Sequence, residues 1–257
     1  MGLTRVFMPR SRARCAIHAA MLPTAPAGIT ALFVAVVAAM LIVGLAGAAR
    51  AARRVGPAAR RGVRLAAVGL VGWLALMVAM AERGFFVDFR SLPPHMLLAI
   101  GPPLLAMLAL VFSPAARPWL DALPRAWPVA AQSFRIVVEI VLWRLAVAGV
   151  APEIMTFTGR NVDILVGLTA PVVAYYCFVR RAWPERVAVW WNVAGILILL
   201  NVVVHAQLSA PTPFRMIATD PPTTFIGSAP YIWLPAFLVP LAWVLHGISL
   251  RQLCSRR

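Results

Sequence analysis

The chain predicts an all-α, polytopic membrane fold, a bundle of about seven transmembrane helices, on three observations. Hydrophobic residues make up 62% of its 257 residues and charged residues only 12%. Seven long apolar runs follow one another with short gaps, and a run of about 20 apolar residues spans the roughly 30 Å of bilayer hydrocarbon. Arginine crowds every second gap.

The elements follow in order. Residues 1–20 carry Arg5, Arg10, Arg12 and Arg14 and no acid. The first run, 25–49, and the second, 65–81, are rich in small residues such as Gly44, Ala48, Gly69 and Gly72, which suit close helix contact. The third, 94–112, is interrupted by Gly101, Pro102 and Pro103. The fourth is 130–151. The fifth, 162–179, contains Pro171, the sixth is 187–208, and the seventh, 230–250, contains Pro235 and Pro240. Internal prolines remove a backbone donor and kink a helix. Most tryptophans lie near run ends and read as interfacial anchors. The runs leave no room for a folded soluble domain, so residues 21–257 are expected to form one transmembrane domain.

Arginine counts orient the bundle. The gaps holding Arg50, Arg53, Arg54, Arg60, Arg61 and Arg64, then Arg117 and Arg125, then Arg180, Arg181 and Arg186, with Arg251, Arg256 and Arg257 at the C-terminus, total fourteen. The alternate gaps hold Arg83, Arg90, Arg160 and Arg215, which is four. The richer side is cytoplasmic, so seven spans put the N-terminus outside and the C-terminus in the cytoplasm. The basic residues 1–20 then fall on the wrong side. A start at Met21, a targeting peptide or an inverted first helix resolves this; with a Met21 start, 1–20 are a poorly ordered or non-native segment.

The net charge of +16 sits beside apolar spans. It therefore reads as topology signal and contact with anionic lipid headgroups, above all at the gap from Arg50 to Arg64, and not as nucleic-acid binding. All 24 basic residues are Arg. Without Lys there is no retinal Schiff base, no Walker A phosphate loop and no pyridoxal phosphate site. Cys15, Cys177 and Cys254 lie far apart, with no C-x-x-C, so no cysteine-based framework, zinc site or haem attachment is expected. No cofactor is expected.

Ionisable groups inside a span are where function is sought first. Arg135 and Glu139 in the fourth run are four apart and can pair on one helix face, while Arg144 points the other way. Such a pair either locks the bundle or serves a ligand, proton or cation. Next comes the stretch from Pro152 to Asp163. Asn161 suits an N-cap and Asp163 the first turn of the fifth helix, whereas Glu153 and Arg160 have no such explanation. Asn201 and His205 share a face of the sixth run, and His95 begins the third. Glu153, Asp163, His205 and His95 are thereby expected at one outer rim, as a polar pocket or, less favoured, a metal site. His246 lies too far toward the cytoplasmic end to join His205.

Met155-Thr156-Phe157-Thr158-Gly159-Arg160-Asn161 with Asp163-Ile164-Leu165, then Gly167-Leu168-Thr169-Ala170-Pro171, Leu208-Ser209-Ala210-Pro211-Thr212-Pro213-Phe214 and Trp233-Leu234-Pro235-Ala236-Phe237, carry a resemblance. Over residues 130–252 the chain is similar to a group of bacterial multi-pass inner-membrane proteins without an established activity. Similar sequences place an acid where this chain has Thr158, so no acidic role carries over there. The resemblance implies a bacterial inner membrane and no mechanism. The function expected is binding or translocation of a small polar solute or ion through an outward-facing polar pocket built from Arg135, Glu139, Glu153, Arg160, Asn161, Asp163, Asn201 and His205. The alternatives are a membrane-embedded, metal-dependent enzyme or a structural subunit of a membrane complex. The partners expected are the bilayer and, besides it, a second copy or a membrane complex.

Overall fold

The computed structural model describes residues 25–254. The basic segment 1–20 and Met21 lie outside the described residues. Among the described residues the regular structure is entirely helical. The helices are α1 (Ala27–Val55), α2 (Pro57–Glu82), α3 (Met96–Phe112), α4 (Arg117–Asp121), α5 (Ala126–Ala131), α6 (Phe134–Val147), α7 (Ile164–Ala174), α8 (Glu185–Ser209) and α9 (Val239–Cys254). A π turn, Tyr175–Val179, prolongs α7, and another, Leu234–Leu238, leads into α9.

Among the described residues four helices are long and apolar enough to cross a membrane: α1, α2, α8 and the continuous Leu234–Cys254 segment. The seven full-length helices expected from the apolar runs are not all present. The third and fifth runs form shorter apolar helices, Met96–Phe112 and Ile164–Val179. The fourth breaks between α5 and α6 at Gln132 and Ser133. There the amides of Gln132 and Ser133 turn back to the carbonyls of Val129 and Ala130, three residues earlier, and Gln132 Nε2 donates to the Ala242 carbonyl at 3.0 Å. A side chain drawn into the core thus replaces a turn of helix.

The gap from Arg50 to Arg64 is not a loop. Gly56, at φ 139°, is the single residue between α1 and α2, and Pro57 opens α2 where its missing N–H costs nothing. The six arginines therefore stand, all exposed, on the two arms of a helical elbow. Gly44, Gly69 and Gly72 do not mediate the close contact expected of them, since a methyl group on any of them would meet nothing within 4 Å, whereas Gly47 lies against the Trp127 ring, 2.7 Å from where its Cβ would be. α2 buries only Leu74, Met77 and Ala81, and its remaining apolar face, including Val68 and Leu65, is exposed.

α9 is the central helix, packed against α3, α5 and α8; α1 packs on α2 and α6, and α7 on α5 and α6. Phe33, Val37, Val141, Leu145, Phe237, Leu241 and Leu245 form the main core. Two tryptophans tie α2 to the π turn before α9. Pro240 has no N–H for the Ala236 carbonyl, and Trp73 Nε1 donates to that carbonyl at 3.1 Å. Reciprocally, Trp233 Nε1 donates to the Leu74 carbonyl at 2.9 Å.

Arginines fasten one end of the bundle. Arg54 donates to the Ala122 carbonyl, Arg251 to the carbonyls of Val111 and Ser113, and Arg125 to the Gln252 carbonyl and the Glu185 carboxylate. These bonds gather the C-terminal ends of α1, α3 and α9 and the N-terminal end of α8. In the connection between α2 and α3, Asp88 accepts from the Ser91 hydroxyl and from the Arg90 and Ser91 amides. The Ser91 hydroxyl, then the Arg90 amide, hold its carboxyl below the usual carboxylate range.

Candidate functional site

The site begins on α6. Helical spacing puts Arg135, Glu139 and Leu142 on its inward face and leaves Arg144 exposed. Arg135 is 2% exposed and Glu139 1%, so both need partners from other helices.

Arg135 finds its carboxylate on α7. Gly167 lets that helix approach α6 closely: a Cβ there would stand 2.8 Å from Ile136 Cγ1 and 2.9 Å from the Ile136 amide nitrogen. One turn earlier, Asp163 then reaches Arg135, with Oδ2 2.8 Å from Nε. The expected Arg135–Glu139 pair is therefore corrected. Arg135 is paired with Asp163, and Glu139 Oε1 instead accepts from Asn161 Nδ2 at 2.6 Å. Asn161 also donates to the Met155 carbonyl at 3.0 Å and accepts the Asp163 amide at 3.0 Å, so it ties Glu139 to the turn that opens α7.

The other side of Arg135 is held by His246 on α9, which the sequence reading had set apart. Arg135 Nη1 lies 3.2 Å from His246 Nε2, and His246 Nδ1 lies 2.8 Å from Asn192 Oδ1 on α8. Guanidinium only donates, so Nε2 accepts and Nδ1 carries the proton. Asn192 agrees with this tautomer, since its Nδ2 donates to Ser249 Oγ at 2.9 Å and to the Ala188 carbonyl at 2.7 Å. His246 is thus a neutral link in a buried chain from Asp163 through Arg135, His246 and Asn192 to Ser249. Gly195 on α8 makes the room, because a Cβ there would overlap His246 Cε1 and Nε2.

The chain does not satisfy every atom. Arg135 Nη2, Glu139 Oε2 and Asp163 Oδ1 are buried without a hydrogen-bond partner. All three residues line one cavity of about 590 Å³, bounded by residues of α3, α6, α8 and α9 and the start of α7. Among the described residues they are its only charged wall residues; apart from Gln207 the rest of the described wall is apolar, as with Val203 and Leu238. Three charged residues with unsatisfied polar atoms, set in an otherwise apolar wall, can orient a ligand.

The remaining expected site residues stay outside. Glu153 and Arg160 are exposed. Asn201 Nδ2 donates to the Arg160 carbonyl at 3.1 Å, and His205 Nδ1 lies 2.9 Å from the Asn201 carbonyl of its own helix. His95 stacks on Phe85 at 4.1 Å, with Nδ1 2.8 Å from the Phe85 carbonyl. Local bonds hold His95 and His205, Asp163 turns to Arg135 and Glu153 is exposed, which corrects the rim assembly and its metal variant. Among the described residues no three His, Cys, Asp or Glu side chains cluster as metal ligands. His246, Asn192 and Ser249 are members of this chain that the sequence alone does not assign to the site. Their signal was a polar side chain in the middle of an apolar run.

No curated protein and no solved structure matches the chain. Residues 92–254, which contain the whole cavity, match the family model described as "Domain of unknown function (DUF8737)", and the chain belongs to that family.

Proposed function

We propose that this chain is a multi-pass protein of the bacterial inner membrane that binds a small ligand in the cavity among α3, α6, α8 and α9. Arg135, Glu139 and Asp163 are its polar contacts. In this reading all seven apolar runs lie within the bilayer, the arginine-fastened end is cytoplasmic, and the cavity opens toward the outside. The observation that carries it is one apolar cavity lined by three charged residues, each of which carries a buried polar atom without a hydrogen-bond partner. An ion cluster built only to lock helices would turn those atoms toward one another or toward backbone groups.

The test uses purified protein in nanodiscs at fixed ionic strength, with methylammonium, glycerol and acetate as cationic, neutral and anionic probes. At high concentration at least one is expected to raise the melting temperature of the wild type, because a ligand that binds the native state stabilises it. Glu139→Gln is expected to abolish that rise. Failure of all three probes, or an equal rise in the variant, overturns the reading.

A further inference from the structure

The mouth of the cavity is as apolar as its wall. Leu92 and Leu97 beside and on α3, Val204 on α8 and Phe214 in the loop after α8 edge it, and they are between 43% and 66% exposed. α3 and α8 both pack on α9, and the cavity lies between them. The neighbouring outward face of α8 exposes Leu197 and Leu200 as well. In a bilayer this opening is bathed by acyl chains, so its occupant arrives through lipid.

The floor of the cavity differs from its mouth. Two carboxylates face one guanidinium, and His246 is neutral by its hydrogen-bond roles. With both carboxylates ionised the cluster carries one formal negative charge too many, and an uncompensated charge at such depth is costly. Glu139 Oε2 and Asp163 Oδ1 are both acceptors without donors. A volume of about 590 Å³ falls in the usual range of single small-molecule sites, about 300–1,000 Å³.

We propose that the cavity takes a single-chain amphiphile with an ammonium head, admitted from the bilayer between α3 and α8. This rests on the reading of the cavity as a ligand site and adds its chemistry. The ammonium donates to the carboxylates of Glu139 and Asp163 and supplies the missing positive charge. The alkyl chain lies along Val203, Leu238 and Val239 toward Leu97. Arg135 Nη2 is left for a hydroxyl on the head or a water. It is also the group an anionic head would seek, which makes a fatty acid the rival occupant.

The experiment measures radiolabelled dodecylamine on the full chain in nanodiscs, with empty nanodiscs subtracted for partition. Dodecanol, dodecanoate and methylammonium compete. A charge-assisted hydrogen bond is worth enough to separate affinities about tenfold to a hundredfold. Dodecylamine is expected to exceed both dodecanol and dodecanoate by that factor, and to exceed methylammonium by more. Glu139→Gln is expected to weaken it about tenfold or more. Val203→Trp, which fills the half-buried mouth without touching the ion cluster, is expected to exclude it.

Equal or tighter binding of dodecanoate overturns the ammonium head, as does equal binding of dodecanol, which would leave a proton on the cluster in its place. Methylammonium binding as tightly as dodecylamine overturns the amphiphile and leaves the ligand site standing. Binding unaffected by Val203→Trp overturns the path between α3 and α8. Binding of none of these probes overturns both this inference and the ligand site.

Discussion

Gly195 has no side chain because the His246 ring occupies the place where one would be. Gly195→Ala forces that ring aside and uncouples Arg135 from Asn192, an overpacking cost of about 1–3 kcal/mol. Thermal unfolding in detergent should show it as a lower midpoint; an unchanged midpoint means that the ring has other room. The two acids should separate in the same assay. Asp163→Asn strands the Arg135 guanidinium without its carboxylate, at about 3–5 kcal/mol. Glu139→Gln keeps an oxygen for Asn161 Nδ2 and should cost under about 1 kcal/mol. Equal losses would mean that Glu139 is as structural as Asp163. Part of this site was legible in the sequence. Arg135, Glu139, Asn161 and Asp163 stood out because charged or capping groups in an apolar run have few innocent explanations. The pairing was not legible, because Arg135 has several carboxylates within chain reach and only the crossing at Gly167 selects Asp163. His246 was set aside on depth relative to His205, when its partner proved to be a long guanidinium side chain on another helix.

α9 shows how a proline-bearing helix keeps its backbone satisfied. Pro240 leaves the Ala236 carbonyl without its usual helical donor, and Trp73 Nε1 supplies one from α2. The Leu74 carbonyl, by contrast, lies inside α2 and takes Trp233 Nε1 as an additional donor. Trp73→Phe should therefore cost about 1–3 kcal/mol, and Trp233→Phe no more than about 1 kcal/mol beyond their shared loss of area. Melting midpoints of the two variants check this, and the reverse order would show that the proline-freed carbonyl is satisfied elsewhere. The tryptophans that the sequence suggested as interfacial anchors thus include hydrogen-bond donors between helices. The apolar runs located every long helix but not their breaks. Gln132 reads as one polar residue in an apolar stretch, and only the Ala242 carbonyl opposite it explains why α5 stops and α6 starts anew. α7 is short for a related reason. Its 16 residues with the π turn rise about 24 Å, less than a bilayer's hydrocarbon. That shortening sets Asp163 at the cavity floor and not at the surface rim, where the sequence pattern had put it.

At the scale of the whole molecule, the arginine alternation and the hydrogen bonds at one end of the bundle point the same way. Arg54, Arg125 and Arg251 come from gaps far apart in the chain, yet each caps or clamps a helix end within one cluster. The opposite end holds the Phe85–His95 stack, the Asn201–Arg160 bond and the Ser209–Thr223 bond, with a connection after α8 that leaves Met216 81% exposed. The proposed orientation makes the clamped end cytoplasmic, as the positive-inside rule expects. In that proposal the C-terminus faces the cytoplasm, and the cavity, whose mouth lies near Leu92 and Phe214, opens in the outer half of the bilayer. Reporter fusions in a bacterial host test this without any ligand. Green fluorescent protein fused after the C-terminus should fluoresce, and alkaline phosphatase inserted at Met216 should be active, because each folds to its active form on one side only. Neutralising Arg53, Arg54, Arg60, Arg61 and Arg64 together should lower both signals by weakening the charge bias around the α1–α2 elbow. Phosphatase activity at the C-terminus with none at Met216 would invert the bundle. The cavity would then open to the inner leaflet, and any amphiphile it holds would come from the cytoplasmic side.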